Sequence, residues 1–148
     1  MITLKKTITK VIPLCVIAII MISTFIVQNA YAAAPTYEFD FRVQPKFENG
    51  QEKTGRLRST NTTSNRWKVK MTDSDESGSN SSITNFWLEN NKGTNVSTHV
   101  AVLEDAGWYP KTPKASANQI KVYLTAEDNK DGGTSGYTVK GNWAPKMQ

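Results

Sequence analysis

Tyr37-Glu38-Phe39-Asp40-Phe41-Arg42-Val43 puts an apolar residue at every odd position and a charged one at every even position. Side chains on an extended chain point alternately to opposite faces, so this stretch reads as a strand with one buried face and one wet face. Arg66-Trp67-Lys68-Val69-Lys70-Met71 repeats the pattern, with Trp67, Val69 and Met71 turned inward and the cations turned out. Gln119 to Thr125 places Ile120, Val122 and Leu124 on one face. Tyr137, Val139 and Trp143 do the same near the C-terminus, and Gly141 between them marks a candidate bulge.

Two further segments are more continuously apolar. Ile83 to Glu89 sets Phe86 and Leu88 against Ile83 and Trp87, and Val96 to Leu103 sets Val96, Val100 and Val102 against Ala101 and Leu103. Apolar residues on both faces suit central strands. Asn90-Asn91-Lys92-Gly93 reads as a short hairpin link, Asn49-Gly50 as a turn, and Glu127 to Gly136 as a longer hairpin loop. No stretch of residues 33–148 has sustained helical periodicity. Six to seven short strands joined by polar loops predict an all-β fold, a single antiparallel β-sandwich or small open barrel.

The N-terminus has a different chemistry. Lys5, Lys6 and Lys10 precede an apolar run from Val11 to Val27, and Ala30-Tyr31-Ala32 supplies small residues at the positions a signal peptidase reads. This is the pattern of a secretory signal, with lysines held inside while the apolar run enters the membrane as a helix. The expected organisation is therefore a signal peptide over 1–32 and a secreted β-rich domain over 33–148, beginning at Ala33. Retention as an anchor through residues 11–27 is the alternative, but that run holds 17 residues and contains Pro13, against the ~20 apolar residues a span needs. Either way the domain ends up outside the membrane.

Removing those 32 residues changes the electrostatics. The full chain of 148 residues carries a net charge of +5, whereas residues 33–148 hold 15 basic and 13 acidic side chains. So small an excess disfavours nucleic acid as a partner. The single cysteine, Cys15, lies in the leader, so the remainder has no disulfide framework, thiolate metal site or thiol nucleophile. Its length is enough to bury about 65% of the unfolded surface without covalent staples.

Chemical constellations are sparse. His99 is the only histidine and sits on a strand among polar neighbours, and there is no G-x-S-x-G elbow. Asp73-x-Asp75-x-Ser77-Gly78 and Glu127-x-Asn129-x-Asp131-Gly132 begin like calcium loops, but their twelfth positions, Thr84 and Thr138, lack the bidentate carboxylate. No cofactor or metal is expected. The stripe Arg66, Lys68, Lys70 reads as a solvated outer strand face, since Trp67 points the other way.

The aromatic residues carry more information. Trp87 and Tyr123 share a face with polar neighbours, and Trp108-Tyr109-Pro110 falls in a proline-bearing stretch with Lys111, Pro113 and Lys114. Stiff amphipathic rings of this kind bind sugars, peptides or headgroups. Trp108 and Tyr109, with Trp87 and Tyr123, are the candidate binding residues.

The segments Ser64-Asn65-Arg66-Trp67-Lys68-Val69, Phe86-Trp87-Leu88-Glu89, Asn95-Val96-Ser97 and Tyr123-Leu124-Thr125-Ala126-Glu127 occur in that order, before Gly136-Tyr137-Thr138-Val139-Lys140-Gly141-Asn142-Trp143. Together they resemble a family of small exported proteins from Gram-positive bacteria classed as a domain of unknown function. The resemblance covers most of 36–143, implies secretion and supplies no catalytic residue. In architecture rather than motif, such proteins are also similar to lactococcin-type bacteriocins. The expectation is a secreted, non-enzymatic β-domain that binds a partner: a cell-wall polymer, a membrane surface or an extracellular protein. A bacteriocin-like antagonist is the alternative, with a secreted hydrolase behind it.

Overall fold

The computed structural model describes residues 33–76, 82–130 and 135–147. The expected signal helix and its cleavage site lie outside them. Nine β elements follow in order: β1 (Tyr37–Val43), β2 (Gly50–Gln51), β3 (Arg56–Leu57), β4 (Trp67–Ser74), β5 (Ile83–Glu89), β6 (Val100–Leu103), β7 (Tyr109–Lys111), β8 (Lys121–Asp128) and β9 (Tyr137–Ala144). A single 3-10 turn, Ala115–Ala117, is the only helical element among the described residues.

The strands form two antiparallel sheets, neither of them closed. The first has the order β1-β9-β4-β7. In the second, β8 pairs with β5, which pairs with β6, while β2 and β3 both lie along the other edge of β8. Alternation decides which side chains meet between the sheets. Phe39, Phe41 and Val43 from β1, Trp67, Val69 and Met71 from β4, and Val139 and Trp143 from β9 are buried on one side. Phe86 and Leu88 from β5 and Val122, Leu124 and Ala126 from β8 are buried on the other. The rings of Phe39 and Phe86 lie 5.5 Å apart across this interface, and Tyr137 and Thr84 share a 2.9 Å hydroxyl hydrogen bond there.

β1 has the predicted bounds, and Trp67 is buried as the alternation requires. Other expectations are corrected. β6 is four residues long and lies at the edge of its sheet, because Val96 and Ser97 leave the strand: Ser97 bridges to Pro113 instead. The stretch from Glu127 to Gly136 is no hairpin loop, since β8 and β9 belong to different sheets. The turn near Asn49-Gly50 comes earlier, at Pro45–Glu48, with Lys46 and Phe47 in positive φ. The bulge expected at Gly141 falls on the partner strand, between Met71 and Asp73. Gly141 is needed for close approach: a Cβ there would stand 2.0 Å from the Lys70 carbonyl oxygen.

Two buried polar side chains hold the open ends. Glu52 is 8% exposed and accepts a 2.8 Å hydrogen bond from Trp143 Nε1. Burial pushes its carboxyl above the ordinary range, against the pull of that bond and of Arg56. Arg58 is fully buried and, among the described residues, has no carboxylate partner, donating instead to the carbonyls of Pro145, Thr62 and Asn65.

Candidate functional site

Each sheet presents an outer face, and the four candidate aromatic residues divide between the two sheets, with Tyr109 turned to the core. On the second sheet, Trp87 stands opposite Thr125, and Glu89 opposite Tyr123. Trp87 is not an exposed ring. It is 3% exposed, capped by the His99 imidazole in a stacked arrangement with centroids 4.4 Å apart. Its Nε1 donates to Glu89 Oε1 at 2.9 Å, while Gln51 Nε2 donates to Glu89 Oε2 at 2.8 Å and to Thr125 Oγ1 at 3.0 Å. The Glu89 carboxylate, 7% exposed, thus has a donor on each oxygen. Two of the roughly four acceptor sites of such a carboxylate are therefore engaged.

His99 is positioned from both sides. Asn95 Nδ2 lies 3.0 Å from its Nε2, and Glu127 Oε1 lies 3.6 Å from its Nδ1. Because Asn95 Oδ1 accepts from the Ser97 N–H, its amide nitrogen is the group left to donate to the ring. Tyr123 is half-buried on the same face, over Gly55, where an added Cβ would meet its ring at 2.6 Å. This face therefore gathers Trp87 and Tyr123 as predicted by parity, but uses Trp87 as the floor of a satisfied polar network.

Trp108 and Tyr109 also part company. Tyr109 opens β7, pairs with Val69, packs against the core and accepts a long hydrogen bond, 3.4 Å, from the Leu103 N–H. The stretch expected to be a loop is a short edge strand there, and the ring is structural. Trp108 stays 40% exposed. It lies on the outer side of the first sheet, with Lys68 Nζ 4.3 Å from its ring centroid. Lysine over an indole face is a cation–π contact. The pairing of Lys68 with Pro110 brings the two together. The stripe of Lys68 and Lys70 thus has an aromatic neighbour after all, although Trp67 is buried. No local signal could show this, because the residues are forty positions apart in sequence.

Further along the same face the charges are mixed. Lys140 donates to Asp73 Oδ2 at 3.0 Å, and this bond, with the charges of Asp73 and Asp40, raises the Lys140 pKa. Asp75 accepts from the Thr138 N–H and Asp73 from Lys140, so both acids at the start of the calcium-like stretch have protein donors; residues 77–81 and 131–134 are outside the described set. Among the described residues no cluster of three metal-ligating side chains occurs.

Compared with known proteins, residues 27–147 match the model of a family described as a protein of unknown function (DUF2712). No curated protein and no solved structure matches.

Proposed function

The chain belongs to the DUF2712 family, and from that premise we propose that it is an exported, non-enzymatic β-sandwich that binds an anionic polymer at the cell surface. One observation carries the reading: Trp108 is the large aromatic left exposed on the outer face of the first sheet, held under Lys68 and beside the Lys68–Lys70 row. An exposed indole next to a cation is costly to keep in water and useful for gripping a sugar ring or an anionic group. Export is supported by the leader pattern of Lys5, Lys6, Lys10 and the apolar run to Val27. A non-enzymatic role is supported by Glu89, each of whose oxygens already accepts a hydrogen bond within the face, and by a histidine held by Asn95 and stacked on Trp87.

Cosedimentation of the purified full-length protein with isolated cell-wall material tests the proposal. Trp108→Ala should weaken binding about tenfold, the scale of a lost aromatic anchor, and leave the melting temperature within a few degrees. Tyr109→Phe, which alters only a long hydrogen bond, should bind normally. Unchanged binding by Trp108→Ala would overturn the assignment of this face. Detection of the protein only inside cells would overturn export.

A further inference from the structure

We propose that the outer face of the first sheet recognises a phosphodiester polymer bearing amines, with phosphate held at Lys70 and an ammonium group at Glu38. This deepens the reading above and rests on it. The carrying observation is a matter of register. Lys70 and Glu38 both pair with Asn142, one from each side, so a cation, an amide and an anion form one row across β4, β9 and β1. All three side chains face outward, since their neighbours Val69, Met71, Phe39 and Trp143 are buried. Among the described residues none of the three has a hydrogen-bond or ion-pair partner for its side chain.

The adjacent row shows what an internally satisfied arrangement looks like. There Lys140 lies between Asp73 and Asp40, pairs with Asp73 at 3.0 Å, and uses its own charge on both acids. In the Lys70–Asn142–Glu38 row the uncharged amide occupies the middle, so the opposite charges stay apart. Two strand spacings separate the outer positions, roughly 9.6 Å between Cα atoms. That admits a phosphate beside Lys70 and an ammonium beside Glu38, each at hydrogen-bond distance. Asn142 lies between them, able to donate to the first and accept from the second. A shallow depression of about 350 Å³, lined by Glu38, Asp40, Thr72, Lys140 and Asn142, seats the ammonium end of the ligand, while Lys70 lies outside it on the strand that pairs with Asn142.

Charge complementarity selects this ligand over its neighbours. A plain polyanion would suit Lys68 and Lys70 but would meet Glu38 and Asp40 on the β1 side. A polymer is favoured over a lipid headgroup because, among the described residues, the other large exposed apolar side chains lie elsewhere, Leu57 on the strand paired with β8 and Phe47 in the turn after β1, leaving Trp108 beside this face to enter a membrane. Along β4, Lys68 and Lys70 stand about 6.8 Å apart, which lets successive phosphates of one chain be met by successive lysines.

The probe is poly(glycerol phosphate), unsubstituted or aminoacylated, titrated onto the full-length protein at low salt. The wild type should prefer the aminoacylated form about two- to fivefold, the scale of one exposed charge pair. Glu38→Gln should erase that preference without weakening binding of the unsubstituted polymer, and Lys70→Gln should weaken both. Equal binding of the two forms by the wild type, or a preference that survives Glu38→Gln, overturns this inference and leaves the anionic-polymer reading standing. Binding of neither form overturns both. Binding to phosphatidylethanolamine vesicles in place of either polymer overturns the choice of a polymer.

Discussion

Replacement of Arg58 by Ala should be among the most damaging single changes in this protein. Its guanidinium is fully buried and donates to Pro145 O at 2.5 Å, to Thr62 O at 3.0 Å and to Asn65 O. Its backbone is tied to the start of β8, with its N–H on Ile120 O at 2.9 Å and its carbonyl accepting from Gln119. One side chain therefore fastens the connection before β4 and the segment after β9 to the β3–β8 edge. Deleting it leaves three carbonyls without this donor, at about 1–3 kcal/mol for each that water cannot reach. Part of that loss is offset, because a cation held without a counter-ion is costly to bury, and burial lowers the Arg58 pKa accordingly. The expected net cost is about 3 kcal/mol, or roughly a 10–15 °C drop in melting temperature for a domain of this size. Calorimetry and urea midpoints measure it, with Arg56→Ala as a less buried neighbour expected to lose under about 1 kcal/mol. Arg58→Met separates the two contributions, since it fills the space and removes the charge. Should Arg58→Met melt at or above the wild-type temperature, the desolvation cost outweighs the three bonds and the clamp argument is refuted.

Other consequences follow from single contacts. Glu52 has a raised pKa in the fold, so its contribution to stability is greatest below the unfolded carboxyl value of 4.5 and declines as pH rises through the folded value. Glu52→Gln keeps an acceptor for Trp143 Nε1 and should flatten stability between pH 4 and pH 7 relative to wild type; parallel pH profiles would contradict this. Gly141→Ala should cost more than about 3 kcal/mol, because the new methyl would stand 2.0 Å from Lys70 O and 2.8 Å from the Phe39 ring. Gly93→Ala, in open space at φ +70°, should cost about 1 kcal/mol, and a reversed order in chemical melts would disprove the packing account. Trp87→Phe leaves one Glu89 oxygen without its indole donor and should destabilise by about 1–3 kcal/mol, readable as a lower urea midpoint without loss of polymer binding.

Much of the fold is legible along the chain because period-two alternation is a local property. Phe39, Phe41 and Val43, or Trp67, Val69 and Met71, declare their buried face through their immediate neighbours, whichever strand they later meet. The same parity correctly set Trp87 and Tyr123 on the polar side of their strands. Parity says nothing of what covers a face, however. Trp87 is buried on the outer side because His99 folds over it and Gln51 joins it from a strand 36 positions away. Tyr109 is structural because β7 docks on Val69, and Trp108 is functional in the proposed reading because that docking sets it beside Lys68.

The strand character of these segments, their inward residues and the distinct chemistry of the first 32 positions follow from local residue order. Tertiary structure alone decided which strands are neighbours and in what register. Lys70, Asn142 and Glu38 became one row only through two pairings, between β4 and β9 and between β9 and β1. Nothing local foretells such a row, since register is chosen by how whole apolar faces interlock across the core.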